Sequence, residues 1–451
     1  MGLGRRCKER QASLWLAADQ LGSGPRNAFY DKLNELLAEI GFDEQLEAAC
    51  EPYYARSGRK GLAPGVYFRM LFIGFFEDIS SQRGIAWRCE DSRSLARFLG
   101  FSPGEGTPDH STLSLTRERL PILVHRLAFE LILDVANNKG LLQGKTIGVD
   151  ASDLEANASM KSIVRRDTGD DWREYLCKLY AEETGDNDPT DEDLRRFDKT
   201  RKKRVSNQQW KSSTDDDARI GRMKDGRTHL KYKVENAVDL ETELILAAEV
   251  YAGDQGDTLT VGDTVVAAQT NVAQVDADCE IQEVVADKGY HSAASLDHLQ
   301  HAAHVRTYIP EQRRTQRRKW QGKSAEVQQA YCRNKRNTRG ARGRRLQRLR
   351  SERVQRVFAH LLDTGGGRRT WLRGLDKVRK RYLMVAMAFN LGRVMRSLFG
   401  AGKPRHLAVL AERLRLLQIL VQRLMAAWRS AHQVVTAMRR NKLTASVAVA
   451  A

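Results

Sequence analysis

The sequence predicts a mixed α/β protein. An all-helical part covers residues 1–140, an α/β part with a charged insertion at about 155–228 covers 141–400, and a basic helix and tail cover 401–451. Three patterns predict this division. Before residue 140 the apolar side chains recur at helical spacing. Two short apolar runs rich in β-branched residues, 146–149 and 283–286, each end in an acid. Residues 231–251 read as two apolar runs around the polar turn DLETE, hence a hairpin.

The charge balance narrows the class of partner. Lys and Arg number 75 against 57 acids, a net charge of +18 and a pI near 9.7. A surplus of that size suits a polyanion, and nucleic acid is the commonest. The six cysteines (Cys7, Cys50, Cys89, Cys177, Cys279 and Cys332) are scattered, with no CxxC pair and no His at ligand spacing. That argues against a zinc site and a disulfide framework and suits a reducing cytoplasm. The start, MGLGRRCKER, has no apolar signal core, and the apolar run 382–399 is interrupted by Asn390, Arg393 and Arg396. A cytoplasmic protein is therefore expected, with no membrane segment and no small-molecule cofactor.

In chain order, Phe29, Leu33, Leu36, Leu37 and Ile40 give the first amphipathic helix, and Gly41 stops it. Pro64 opens the most apolar helix of this half. Ser80 or Ser81, Asp91 or Ser92, and the segment PDHST mark further helix starts. Short helices at tight turns carrying Arg83, Arg88, Arg93 and Arg97 suit either a helix-turn-helix group or a bundle with a basic face. A helix from Pro121 to about Asn138 leads into the strand that ends in Asp150. Strand ends in α/β sheets are where chemistry gathers, although Asp is also a preferred helix cap.

Residues 155–228 hold an acidic block followed by a basic one, which predicts a partly helical, partly flexible insertion. The hairpin, a helix from Asp257 to about Ala268, and a strand ending in Asp287 follow. Residues 313–356 contain 17 Lys or Arg and only two acids, Glu326 and Glu352. This density suits a polyanion better than a generic solvated face. Trp320 and Tyr331 lie within it, placed either to stack on bases or to pack. On the helix from about 344 to 362, Leu346, Leu349, Val354, Val357, Phe358 and Leu361 form the apolar face. Arg345, Arg348, Glu352 and Ala359 lie opposite, so Glu352 is a lone acid in an arginine stripe. Residues 405–440 read as a basic amphipathic helix, and no internal repeat is present.

Asp150, Asp287 and Glu352 are thus the candidate site, with Asp153 as a competitor for the first position. Converging carboxylates need counter-charge, and next to nucleic acid a pair of hard divalent ions, Mg²⁺ or Mn²⁺, supplies it. Lys288, Arg344, Arg345, Arg348 and Arg356 are the expected phosphate contacts.

The motifs VDASDLEANAS, DLETE, VADKGYHS and RSERVQRVFAHLLDTGG, with RYLMVAMAFNLGRVMR after them, resemble the bacterial insertion-sequence DDE transposases of the insertion-sequence four/five superfamily. The helical stretch YFRMLFIGFFEDISSQRGIAWRCEDS is similar to the N-terminal domain of those enzymes, and the likeness runs over roughly residues 55–400. The resemblance implies a ribonuclease-H-like catalytic domain with Asp150, Asp287 and Glu352 as its metal-binding triad. It also implies two Mg²⁺ or Mn²⁺ ions and a homodimer on double-stranded DNA. The implied reactions are hydrolytic cleavage at terminal inverted repeats and joining of 3′ ends to a target. The family's signature around the glutamate (Tyr, two residues, Arg, three residues, Glu, six residues, Lys) is met at Arg348 and Glu352. Arg345 stands at the Tyr place and Ala359 at the Lys place, and the second glutamate of many relatives is Gln355 here. A same-fold nuclease without joining, or an inactive nucleic-acid-binding relative, are the alternatives.

Overall fold

The computed structural model describes residues 27–429 apart from 56–57, 59–60, 103–104, 202–205, 313–319, 364–365, 408, 410–411 and 427. The chain divides into two compact units, Met1–Val394 and Met395–Ala451.

The first unit opens with seven helices: α1 (Ala28–Glu39), α2 (Phe42–Cys50), α3 (Pro64–Phe76), α4 (Gln82–Glu90), α5 (Arg93–Phe98), α6 (His110–Arg119) and α7 (Ile122–Asn138). The starts of α3 to α6 follow residues read from sequence, and α1 adds a cap at Asn27. The side chains of Asn27, Ser81, Ser92 and Asp109 each accept a bond from a first-turn backbone N–H, and Pro64 occupies the first turn of α3. Helix α3 is buried nearly all round because it runs through the aromatic core, where Phe68 and Phe72 meet Phe42. Helices α4 and α5 pack as a tight pair whose basic residues are partly engaged, Arg88 with Glu77 and Arg83 with His110.

Next come β1 (Thr146–Glu155), β2 (Ile163–Arg165), α8 (Trp172–Thr184), α9 (Asp191–Thr200), β3 (Trp210–Ser212), β4 (Arg219–Arg222), β5 (Thr228–Asp239) and β6 (Ile245–Ala252). They are followed by α10 (Asp257–Val275), β7 (Glu283–Val285), α11 (Ala293–Asp297), β8 (Arg306–Tyr308), α12 (Ala325–Arg339), α13 (Ala341–Asp363) and α14 (Leu375–Phe399). The main sheet has the order β4-β5-β1-β7-β8, with β6 also on β5. Strand β1 runs antiparallel to β5 and parallel to β7, and β7 is parallel to β8. Helix α10 covers one face, where its Thr260 and Thr264 donate to Glu235 of β5. Helix α13 covers the other, over Gly148. This is a ribonuclease-H-like arrangement.

The order strand, insertion, hairpin, helix, strand is as the sequence predicts, with two differences. Strand β1 continues past Asp150 to Glu155 because β5 is long enough to pair with all of it, so Asp150 lies within a strand and not at its end. The insertion is also more regular than expected. Helices α8 and α9 each begin with a reciprocal capping box, Asp171 with Glu174 and Thr190 with Asp193, so part of the acidic block serves as caps. Strands β2 and β3 form a separate ribbon, and buried Trp210 meets Tyr175 edge-on. The basic residues Lys202, Lys203 and Arg204 lie outside the described residues.

Trp320 packs edge-on against Tyr331, and Tyr331 is buried and donates to Glu311. Packing is therefore the role of Tyr331. In the second unit, residues 404–407 and 412–426 are helical, with large apolar side chains such as Leu414, Leu417 and Leu424 exposed. Residues 430–451, including the end of the expected basic helix and the tail, lie outside the described residues. No described helix is long and apolar enough to cross a membrane.

Candidate active site: an aspartate pair beneath an arginine

The last parallel rung between β1 and β7 joins Gly148 to Val285. Two residues beyond that rung β1 carries Asp150, on the side of the sheet covered by α13, while β7 ends at Val285 and Asp287 follows it as the cap of the next turn. The closeness of that helix is set by Gly148. A Cβ there would lie 2.7 Å from Leu240 Cδ2, 2.7 Å from Val354 Cγ2 and 3.2 Å from Arg350 Cγ. A glycine inside a strand often marks such a close approach.

The approach delivers Arg350 onto Asp150. Its Nη1 donates to Asp150 Oδ2 at 2.9 Å, while Asp150 Oδ1 accepts from the Ala151 N–H at 2.9 Å. Burial pushes the Asp150 carboxyl above the usual range, Arg350 pulls it back, and the Asp287 charge raises it again. Asp287 Oδ1 accepts from the Gly289 N–H at 2.7 Å and so caps the 3-10 turn Lys288–Tyr290. Gly289 has no room for a side chain: a Cβ would meet Asp257 Oδ2 at 2.8 Å and Asp287 Oδ1 at 2.9 Å. Asp257 itself is paired with Lys233 at 2.7 Å. Gln347, one turn before Arg350, donates to the carbonyls of Ala286 and Tyr308 and ties α13 to the ends of β7 and β8. Arg342 of the first turn of α13 forks onto Glu283, at 2.9 and 2.5 Å.

Asp287 is near enough for its charge to raise the Asp150 pKa, whereas Glu352 points outward from α13. Two residues beyond Arg350, position 352 lies about 200° around the helix. Its side chain is 63% exposed and accepts from Arg356 Nη2 at 2.6 Å. Among the described residues no group of three His, Cys, Asp or Glu could hold a metal ion. The helix face toward the sheet carries Arg350 and not an acid, so Glu352 does not stand beside Asp150 here. Asp153, three residues after Asp150, falls on the opposite face of β1 and is bound by Lys231 Nζ at 2.6 Å.

Of the expected phosphate contacts, Lys288, Arg344, Arg345 and Arg348 are exposed. Arg356 is instead held between Glu243 and Glu352. Sequence reasoning missed Arg350 and Gln347. The signal for Arg350 was its place midway between Leu346 and Val354, at spacings of four within the buried stripe.

Two family models match the chain. A transposase domain of the DUF772 type covers residues 19–119, and a transposase DDE domain covers residues 189–391. Asp287, Arg350 and Glu352 fall inside the second match, and Asp150 falls before it. No curated protein matches the chain. With an N-terminal transposase domain, a ribonuclease-H-like sheet and a DDE domain in succession, the chain belongs to the insertion-sequence DDE transposases.

Proposed function

We propose that this transposase binds the terminal inverted repeats of its own element, hydrolyses phosphodiester bonds there, and joins the freed 3′ ends to target DNA by transesterification. The observation that supports this reading is Asp150 in the middle of the sheet with the Asp287 charge near enough to raise its pKa, in a chain whose 313–356 segment is strongly basic. The donor set fits a hard divalent cation: the oxygens of two carboxylates, one of them with its pKa raised partly by the other. A second ion held by a third carboxylate does not fit, because Glu352 would reach the pair only after α13 turned by about half a revolution.

When bound, Mg²⁺ or Mn²⁺ supplies the charge that stabilises an in-line displacement at phosphorus. The chain's own residues do the rest. Asp150 and Asp287 would hold the cation and Lys288, next to Asp287, the DNA backbone beside it, while Arg344, Arg345 and Arg348 would hold backbone along the exposed side of α13. Residues 1–140 would contribute end recognition, 141–400 the chemistry and 401–451 a basic helix. A homodimer on DNA would bring two ends together. Exposed Leu414, Leu417, Val421, Leu424 and Trp428 alternate at spacings of three and four, the seam of a two-stranded coiled coil with a second copy. The place of action would be the bacterial cytoplasm.

The test is incubation of the full chain with duplexes carrying the element's ends and Mg²⁺ or Mn²⁺. Strand cleavage followed by joining is expected. Asp150→Asn and Asp287→Asn should each lower cleavage at least about a thousandfold while end binding persists. Wild-type cleavage by both variants would sink the site. Cleaved ends that never join would mark a nuclease. The outward Glu352 favours a second reading, a non-catalytic DNA-binding relative, and tight end binding without any cleavage would establish it.

A further inference from the structure

Arg350 carries an observation that its ion pair does not explain. Only 9% of the residue is exposed, and its Nε is buried with no hydrogen-bond partner. A buried unpaired N–H is costly, and a guanidinium presents its donors as a fork shaped for carboxylate or phosphate oxygens. The bond to Asp150 uses Nη1 and leaves the neighbouring Nε edge waiting for an acceptor. Asp150 accepts from Arg350 Nη1 and the Ala151 N–H, and Asp287 from the Gly289 N–H, and neither accepts from the Nε. An oxygen from outside the chain is the fitting occupant, and the basic surplus of the segment 313–356 that carries Arg350 selects a DNA phosphate.

We propose that Arg350 works with two partners in turn. Without a cation it neutralises Asp150, against the opposing charge of Asp287. When a divalent cation takes Asp150, the guanidinium is released to a backbone phosphate of the DNA at the site. The inference rests on the reading of the aspartate pair as the cation site, and makes Arg350 both a competitor of the cation and a positioning residue for the DNA strand.

Two measurements on the full chain separate the inference from that reading. The first is Mn²⁺ binding without DNA, followed by the loss of the free-ion electron paramagnetic resonance signal. Arg350→Gln should bind Mn²⁺ about tenfold more tightly than the wild type, since the competing charge is gone, and Asp150→Asn should lose binding. The second is affinity for an element-end duplex with and without Ca²⁺. The wild type should gain affinity on Ca²⁺ addition, and Arg350→Gln should lose that gain of about tenfold. Arg350→Lys keeps the charge without the fork. It should bind Mn²⁺ like the wild type and lose most of the gain, and it carries the test if the Gln variant does not fold. Unchanged or weaker Mn²⁺ binding in Arg350→Gln, with binding abolished in Asp150→Asn, would overturn the inference and leave the cation site standing. Wild-type Mn²⁺ binding in Asp150→Asn would overturn the cation site itself.

Discussion

Asp150 and Asp153 are three positions apart on one strand, and parity alone separates them. One faces α13 and an arginine beside a second aspartate; the other faces away and is held by Lys231. His125 shows the same dependence on surroundings and leads to a prediction. Its Nδ1 bonds the Pro121 carbonyl, which can only accept, so Nδ1 carries the proton and Nε2 accepts from the Tyr67 hydroxyl. Burial brings its pKa down to about 4, against the opposing pull of the Pro121 carbonyl. Above pH 6.5 the ring is neutral in both folded and unfolded chains and contributes no pH dependence. Below 6.5 the unfolded chain takes up the proton first, so stability falls as pH drops toward 4, by about 2 kcal/mol at pH 5. Urea midpoints at pH 7 and pH 5 check this. His125→Gln should lose less stability between the two pH values than the wild type, and an equal loss would refute the assignment.

At the scale of elements, the site is a distance between β1 and α13. Gly148 sets it, and every atom that a Cβ would touch there belongs to a packed side chain. Gly148→Ala should cost about 1–3 kcal/mol of stability through overpacking and should separate Arg350 from Asp150. A lowered thermal midpoint together with reduced cleavage is expected, whereas an unchanged midpoint would mean that α13 yields without strain. The helix also shows where sequence reasoning was divided. Its wheel places Glu352 with Arg345 and Arg348 on the face opposite the apolar stripe, and the structure agrees. The family signature assigns that same residue to a buried metal site. The wheel describes the helix as it packs here, because burial of Leu346, Val354, Val357 and Leu361 fixes its rotation.

For the whole molecule, charge is the dominant property. The +18 surplus is concentrated in 313–356, and Arg345 and Arg348 present it to solvent from α13. If both contact phosphates, replacing the two by Ala should weaken binding to all DNA sequences alike. The slope of log Kd against log salt should fall by about 2. A titration of end-bearing and unrelated duplexes over a salt series measures it. A loss confined to the element's own ends would instead assign these arginines to sequence recognition.

Sequence alone determined the helical first part with helix starts at Ser80 or Ser81, at Asp91 or Ser92 and at Asp109, the hairpin, the strand of Asp150, the strand that runs up to Asp287, and a charge suited to a polyanion. Each of these is written in short-range spacing or in composition, which survive without knowledge of the fold. Tertiary structure alone decided that Asp150 lies within a strand and that β5 pairs along all of it. It also decided that Tyr331 packs, and that Arg350 rather than Glu352 meets the aspartate pair. Those outcomes depend on which strand lies beside which and on the rotation of one helix over a glycine, relations between residues about 200 positions apart that no local pattern encodes.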